Sequence, residues 1–222
     1  MIMTKNNISF DVNELTSFKN WWTTYFSDWE EDHFKIISKY ADKEKSFVDI
    51  GAWIGPISMY ASKVFKKVYS IEPDPIAFKE LVANIELNQM DNVELFHKAL
   101  CYSDSELFIG NFQQNLGSSC SKIFTQDELN EAQKGNARLS MAEKITFEEL
   151  GASDIGMMKM DIEGGEFELV PQLIEKGIIN KDIPLSLSVH PKEGNVNLLL
   201  ETLKPIYKNQ ELFMRDSYLL SN

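Results

Sequence analysis

The sequence predicts an α/β fold, doubly wound around a mainly parallel sheet, with a C-terminal antiparallel strand or hairpin. Three observations carry that expectation. Short β-prone runs alternate with amphipathic helical stripes through most of the chain, the pattern of crossovers that cover both faces of a parallel sheet. The first run ends in a turn holding two glycines, Gly51 and Gly55, directly before a helical stripe. Acidic residues stand at or near the ends of three runs, Asp49, Glu72 and Asp161, where open parallel sheets place their ligand crevice.

Ser27 and Glu30 have the spacing of a capping box, and Trp29, His33, Ile36, Ile37 and Tyr40 recur at helical spacing behind them. Residues 1–45 therefore read as an N-terminal helical extension packing on the core, and 46–222 as a single domain. Residues 47–50 form the first strand, and Pro56 at a first helical position opens a stripe through Ile57, Tyr60, Ala61 and Val64. The second strand, 68–71, stops at Glu72-Pro73-Asp74-Pro75, with Asp74 as N-cap and Phe78, Leu81, Val82 and Ile85 as the next stripe. Further strands are expected at 93–100, 155–160 and 185–189, helices at 166–174 and 196–206, and a closing strand or hairpin over 212–220 around Asp216 and Ser217. His97 falls inside the third strand and, like His33, reads as structural. The long insertion at 101–154 interrupts this alternation for 54 residues, with a strand-like 106–109, a polar loop over 110–121, a helix over 126–134 and a second capping box, Thr146 with Glu149. A connection of that length usually carries function.

Of the 222 residues, 43% are hydrophobic and 25% charged, enough to bury a core in one soluble domain. The 34 Asp and Glu exceed the 22 Lys and Arg by 12, so the bulk field repels phosphate polymers and anionic lipid, and no nucleic-acid partner is expected. Cys101 and Cys120 sit in no Cys-x-x-Cys pair, which argues against zinc or thioredoxin-like chemistry and suits a reducing cytoplasm. No apolar h-region opens the sequence and no apolar run nears about 18 to 20 residues, so neither signal peptide nor membrane span is expected.

Trp53 fills the middle slot where a dinucleotide fingerprint needs glycine, and its indole would obstruct a diphosphate. A cofactor with a cationic amino acid end and no phosphate suits Asp49 and the open Gly51 turn; the alternative is an ordinary βα turn with Asp49 as a local cap. Glu72 follows Gly51 by 21 residues, where a carboxylate can accept both hydroxyls of a ribose, with Pro73 against the adenine; alternatively it is a turn carboxylate. Lys159, Asp161 and Glu163 share one side of the fourth strand's end, and charges there are costly to bury unless paired or used. The plainer alternative makes Asp161 a helix cap, Glu166 a first-turn charge and Lys159 their ion-pair partner. His190 closes the fifth strand, where an imidazole can take a proton from an alcohol. No dedicated metal spacing is present, so no metal site is expected; Mg²⁺ on Asp161, Glu163 and His190 is the metal-assisted variant.

Together these pieces resemble the FkbM-type family of class I S-adenosylmethionine-dependent methyltransferases. The resemblance runs from about Trp29 to His190, through Trp29-Glu30, Val48-Asp49-Ile50-Gly51-Ala52, Ile71-Glu72-Pro73, Ala99-Leu100 with Ser103-Asp104, and the Lys159-to-Glu166 run. The last motif is the most specific to the family. The resemblance implies a Rossmann-like class I methyltransferase fold and S-adenosyl-L-methionine as cofactor. It implies Asp49, Gly51 and Gly55 at the methionine portion, with Ala52 and Trp53 in the same turn, and Glu30 near the amino acid end. Glu72 with Pro73 would take the ribose side, and Ala99 with Leu100 the adenine. Asp161, which also borders the cofactor, Glu163 and His190 become the base or acceptor-orienting groups. FkbM-type enzymes are associated with O-methylation of sugar, glycan and natural-product hydroxyls, so a small-molecule or saccharide acceptor is expected. Two departures stand out: Trp53 where the family more often has asparagine, and Ser188 where members often carry glutamate.

Other acceptors fit less well. Amino-methylating DNA enzymes need a Pro-Pro-aromatic turn where this chain has Asp161-Ile162-Glu163-Gly164, and carbon-5 methylation needs a nucleophilic cysteine in a motif that Cys101 and Cys120 lack. A nicotinamide-dependent Rossmann oxidoreductase shares the architecture but conflicts with Trp53, and a noncatalytic module conflicts with the retained Asp49, Glu72 and Asp161.

Overall fold

Seven strands build the central sheet of the computed structural model, which describes every residue except 113–115, 125–127, 131 and 133–137. The strands are β1 (Ser46–Ile50), β2 (Lys67–Ile71), β3 (Val93–Phe96), β4 (Ile155–Met160), β5 (Leu185–Ser188), β6 (Asn209–Met214) and β7 (Ser217–Ser221). Their order across the sheet is β6-β7-β5-β4-β1-β2-β3. β1 to β5 run parallel, and β7 is antiparallel to both β5 and β6. The expected C-terminal hairpin is thus present, turning at Arg215 and Asp216, the latter at φ 58°.

Four helices cross between these strands: α1 (Pro56–Val64), α2 (Pro75–Leu87), α3 (Glu166–Glu175) and α4 (Val196–Leu203). The inner strands β1, β2, β4 and β5 are largely buried on both faces, and their alternation divides the core. Phe47, Val68 and Met157 join the cluster under α1, α2 and the N-terminal segment, whereas Val48, Ile50, Tyr69, Ile71, Met158 and Met160 join the one under α3 and α4. Asp74 starts α2 as expected: its Oδ1 accepts the Ile76 and Ala77 N–H groups at 2.8 and 3.2 Å, and Pro75 fills the first helical position.

The strand order reverses beside β1, whose neighbours are β4 and β2. Ile50 is in register with both Met160 and Ile71, so the three strands end level. Gly51, Glu72 and Asp161 therefore emerge side by side at the switch point, where doubly wound sheets open a crevice.

Four local expectations change. The run over 93–100 is two strands, because the chain leaves the sheet after Phe96. Ala99–Leu100 pairs in parallel with Lys144–Ile145 instead, and His97 lies at the break, stacked on Phe78 at 4.6 Å. The strand expected at 106–109 is Leu107–Asn111, the centre of a three-stranded antiparallel sheet with Lys122–Ile123 and Arg138–Ala142, so part of the supposed loop over 110–121 is sheet. The Ser27 capping box does not form: the helix is Glu31–Lys39, and Glu30 precedes it in a left-handed conformation, φ 45°, with its carboxylate turned to His33. The first 45 residues include a hairpin, Ile2–Lys5 with Ile8–Asp11, besides the helices Lys19–Thr24 and Glu31–Lys39. The second box does form, Glu149 Oε2 accepting from both the N–H and the hydroxyl of Thr146 at 2.8 Å. Of the helix expected over 126–134, residues 128–130 and 132 are helical and 126, 127, 131, 133 and 134 lie outside the described residues.

Candidate active site

A cavity of about 560 Å³ opens at the ends of β1, β2 and β4, a volume in the ordinary range for a small-molecule site. Its floor is the Gly51 turn. Gly51 sits at φ +83°, and a Cβ there would lie 1.9 Å from the Asp161 carbonyl oxygen, so only glycine lets the end of β1 lie against the end of β4. The Gly51 and Ala52 N–H groups both donate to the Ile71 carbonyl at 3.0 Å, which binds the turn to β2.

Glu72 stands at the end of β2, 6% exposed. Its Oε1 accepts from the Asp74 N–H at 2.7 Å and its Oε2 from the Trp53 N–H at 2.8 Å. Burial pushes its carboxyl up to about 7, against the pull of those two N–H groups. Each oxygen keeps a second lone pair for an incoming hydroxyl.

Behind the turn lies a buried polar chain. Ser70 donates to Ser58 at 2.8 Å, Ser58 donates to Asp49 Oδ2 at 2.6 Å, and Asp49 Oδ1 faces Lys159 Nζ at 3.5 Å. Burial raises the Asp49 carboxyl despite Lys159, while the charges of Asp49, Asp161 and Glu30 raise Lys159 against its own burial. Lys159 also donates to the Gly51 carbonyl at 2.8 Å, clamping the turn from below.

Trp53, at φ 49°, donates from Nε1 to the Gly117 carbonyl at 2.8 Å and packs edge-on against Trp21 at 4.6 Å. The same loop is held by Asp74, whose Oδ2 accepts from the Gly117 N–H at 2.6 Å and the Ser121 hydroxyl at 2.7 Å. One carboxylate thus caps α2 and latches the insertion over the cavity, whose walls include Ser118, Ser121 and Leu129.

The end of β4 brings three ionisable groups together. His190 Nε2 is 3.6 Å from Asp161 Oδ1 and 3.4 Å from Glu163 Oε1. The fully buried Glu166 sets the ring: Oε1 lies 2.8 Å from His190 Nδ1 and accepts the His190 N–H at 2.8 Å, while Oε2 accepts the Gly164 N–H at 2.8 Å. Burial works against a charged imidazole here, but the bonds and charges of Glu163 and Glu166 outweigh it and push His190 up to about 10. At neutral pH it is an imidazolium.

Of the sequence-predicted site residues, Glu30, Gly51, Ala52, Trp53, Glu72, Pro73, Ala99, Leu100, Asp161 and Glu163 line the cavity. Asp49, Gly55 and His190 do not: Asp49 lies beneath the turn, Gly55 begins α1 at φ +95° against Leu81, and His190 stands behind Asp161 and Glu163. Two contributors go beyond the sequence expectation. Glu166 lies in the first turn of α3 as expected but is also a buried carboxylate that orients His190, and Lys159 pairs with Asp49 rather than with Asp161 and Glu166. The conspicuous acid after two glycines was the signal for Glu166.

The donor set fits S-adenosylmethionine. Glu30 lines the cavity with a carboxylate suited to an ammonium group, and its buried Oε2 stands 3.0 Å from His33 Nδ1. Glu30, Glu72, Asp161 and Glu163 give the lining an excess of carboxylates, suited to a sulfonium, an ammonium and hydroxyls and ill suited to a diphosphate. The lining lysines are engaged, Lys159 with Asp49 and Lys122 with Glu128 and Glu193.

Comparison with known proteins agrees with this chemistry. The methyltransferase FkbM domain family matches residues 49–205. The chain is similar to an uncharacterized protein of Methanocaldococcus jannaschii, 36% identical over 59 residues, 27% of this chain and 23% of that one. It is also similar to an uncharacterized RNA methyltransferase of Oceanobacillus iheyensis, 42% identical over 53 residues, 24% of this chain and 12% of that one. The chain thus spans less than a quarter of the length of either relative. Among solved structures it resembles aTrm5 in complex with tRNALeu, with a TM-score of 0.52 and 14% identity over 99% of this chain and 50% of that one, a likeness of fold. Since the family match runs from Asp49 past His190 and takes in the level ends of β1, β2 and β4, the chain belongs to the FkbM family of methyltransferases, whose methyl donor is S-adenosylmethionine.

Proposed function

We propose that the protein is an S-adenosylmethionine-dependent O-methyltransferase acting on a hydroxyl of a sugar, glycan or natural product. The observation that carries this is the opening of Asp161 and Glu163 onto the same cavity as Gly51 and Glu72, which puts proton acceptors beside the cofactor cradle. S-adenosylmethionine, when bound, supplies an electrophilic methyl group on a sulfonium. The protein then has to align an acceptor oxygen and receive its proton. His190, held as an imidazolium, is a poor base, so the proton goes to Asp161 or Glu163 while His190 and Glu166 keep that pair in place. The latched insertion walls off the acceptor side and sheds water from the site.

An RNA acceptor is the competing class, since one relative is called an RNA methyltransferase. The net charge of −12 weighs against it for this chain. The free thiols of Cys101 and Cys120 suit a reducing cytoplasm, and no helix among the described residues is long and apolar enough to cross a membrane. The test is label transfer from S-adenosylmethionine to panels of saccharides, hydroxylated natural products and RNA, with S-adenosylhomocysteine binding followed by calorimetry. Hydroxyl methylation is expected, falling about 10²- to 10⁴-fold in Asp161→Asn or Glu163→Gln with cofactor binding largely kept. Labelled RNA, or full turnover in both amide variants, would overturn the proposal.

A further inference from the structure

We propose that Asp161, Glu163 and His190 form a site for a divalent cation of the Mn²⁺ or Zn²⁺ type on the wall of the cavity. The first support is spacing. One ligand atom from each residue lies within 4.8 Å of the others, and Nε2 stands 3.4 Å from Glu163 and 3.6 Å from Asp161. Charge-assisted hydrogen bonds close to about 2.7–2.9 Å, so neither contact is drawn in as a tight pair would be. Donors about 2.1 Å from a tetrahedral ion stand about 3.4 Å apart, which is the separation found at Nε2.

The second support is the buried carboxylate behind the histidine. Glu166, wholly buried on α3, occupies Nδ1 of His190 at 2.8 Å and the backbone N–H of the same residue, so the ring cannot turn and Nε2 is aimed between Asp161 and Glu163. Metal-bound histidines are held in this way, by a carboxylate on the nitrogen that does not bind the ion. A histidine serving as a base would present Nε2 to the acceptor; here Nε2 presents itself to two further carboxylates.

Two carboxylates and one imidazole suit Mn²⁺ or Zn²⁺ better than Ca²⁺, whose ligands are all oxygen. Three protein ligands leave coordination positions open. Asp161 and Glu163 line the cavity, so those positions face the acceptor space. On the O-methyltransferase reading, they would take the acceptor hydroxyl and lower its pKa, its proton passing to the carboxylate oxygen of Asp161 or Glu163 that does not bind the ion.

The experiment uses the full chain saturated with S-adenosylhomocysteine, with Mn²⁺ titrated by electron paramagnetic resonance of the free ion and Zn²⁺ by calorimetry. One ion per chain is expected, its affinity falling at least about 100-fold in His190→Ala or Glu163→Gln and about 10- to 100-fold in Glu166→Gln, with S-adenosylhomocysteine binding as the check that each variant is folded. No saturable binding of either ion up to about 1 mM in wild type overturns the site. Binding unchanged in His190→Ala and Glu163→Gln does the same, and full turnover after exhaustive chelation overturns its role at the acceptor. Loss of the methyltransferase reading would show separately, as failure to bind S-adenosylhomocysteine at all while the ion titration stands.

Discussion

Replacing Glu72 with glutamine is expected to tilt the pH dependence of stability, because the native carboxyl is buried and carries a proton far above the usual range. Burial is the main cause of its rise from the ordinary 4.5 to about 7. Between those values the folded protein keeps a proton that the unfolded chain has released, so wild-type stability falls as pH rises from about 4.5 and levels off above about 7. At about 1.36 kcal/mol per pKa unit, the loss approaches about 3 kcal/mol, of which about 2.5 falls between about pH 5 and about pH 8.5. The Glu72→Gln variant has no such loss. At acid pH it is the weaker protein, since its amide NH₂ must face one of the two backbone N–H groups now satisfied by the carboxylate, at about 1–3 kcal/mol. The stabilities should therefore converge or cross as pH rises. Urea unfolding of both proteins without cofactor, at several pH values, measures the gap; a gap that stays constant, or that widens in favour of wild type toward alkaline pH, would refute the assignment. Adding S-adenosylhomocysteine at about 100 times its Kd should stabilise wild type by about 2.7 kcal/mol and the variant by much less.

Gly51→Ala places a Cβ 1.9 Å from the Asp161 carbonyl oxygen at a positive φ, and should cost more than about 2 kcal/mol while abolishing S-adenosylhomocysteine binding by calorimetry. Lys159→Met strands Asp49 as a buried charge and should cost about 3–5 kcal/mol in chemical denaturation, most of it recovered when Asp49→Asn is added. Near-additivity of the two changes would deny the pairing. Trp53→Phe removes the bond to the Gly117 carbonyl, about 1 kcal/mol, and should speed amide exchange at Gly117 several-fold while leaving the amides of β1 and β4 protected.

The alternation of strands and stripes was legible because β1, β2, β4 and β5 are short apolar runs closed by glycine, proline or acid, and each is followed by a helical stripe after a turn. The cradle was legible for a related reason: Gly51 and Glu72 act through backbone shape and strand-end position, which spacing reports. Asp49 shows where that logic stops. A two-residue period turns Asp49 with Phe47 toward α1, so it meets Ser58 there and reaches the turn only through Lys159. His190, Asp161 and Glu163 are close only because β4 and β5 are neighbours, a fact of topology that no local spacing carries. Ser27 and Glu30 had the right letters for a cap, yet Glu30 turns its carboxylate to a buried histidine. The insertion was recognisable by its length, its strand near Leu107 and the Thr146–Glu149 box, but its other short antiparallel pairings carry little periodic signal.

The way that insertion is fastened bears on how such a protein changes its substrate. It joins the body at its base through two residues of parallel pairing, Ala99–Leu100 with Lys144–Ile145, and along its length through Asp74, Trp53 and the contact of Lys122 with Glu193. Most of these ties end on backbone atoms of the insertion or on one serine hydroxyl, so they place few demands on its side chains. The segment between them can be rewritten, by evolution or by grafting, without touching the strand ends that hold the methyl donor. On the proposed reading, donor handling stays with the strand ends, and acceptor choice would be exchangeable with the insertion.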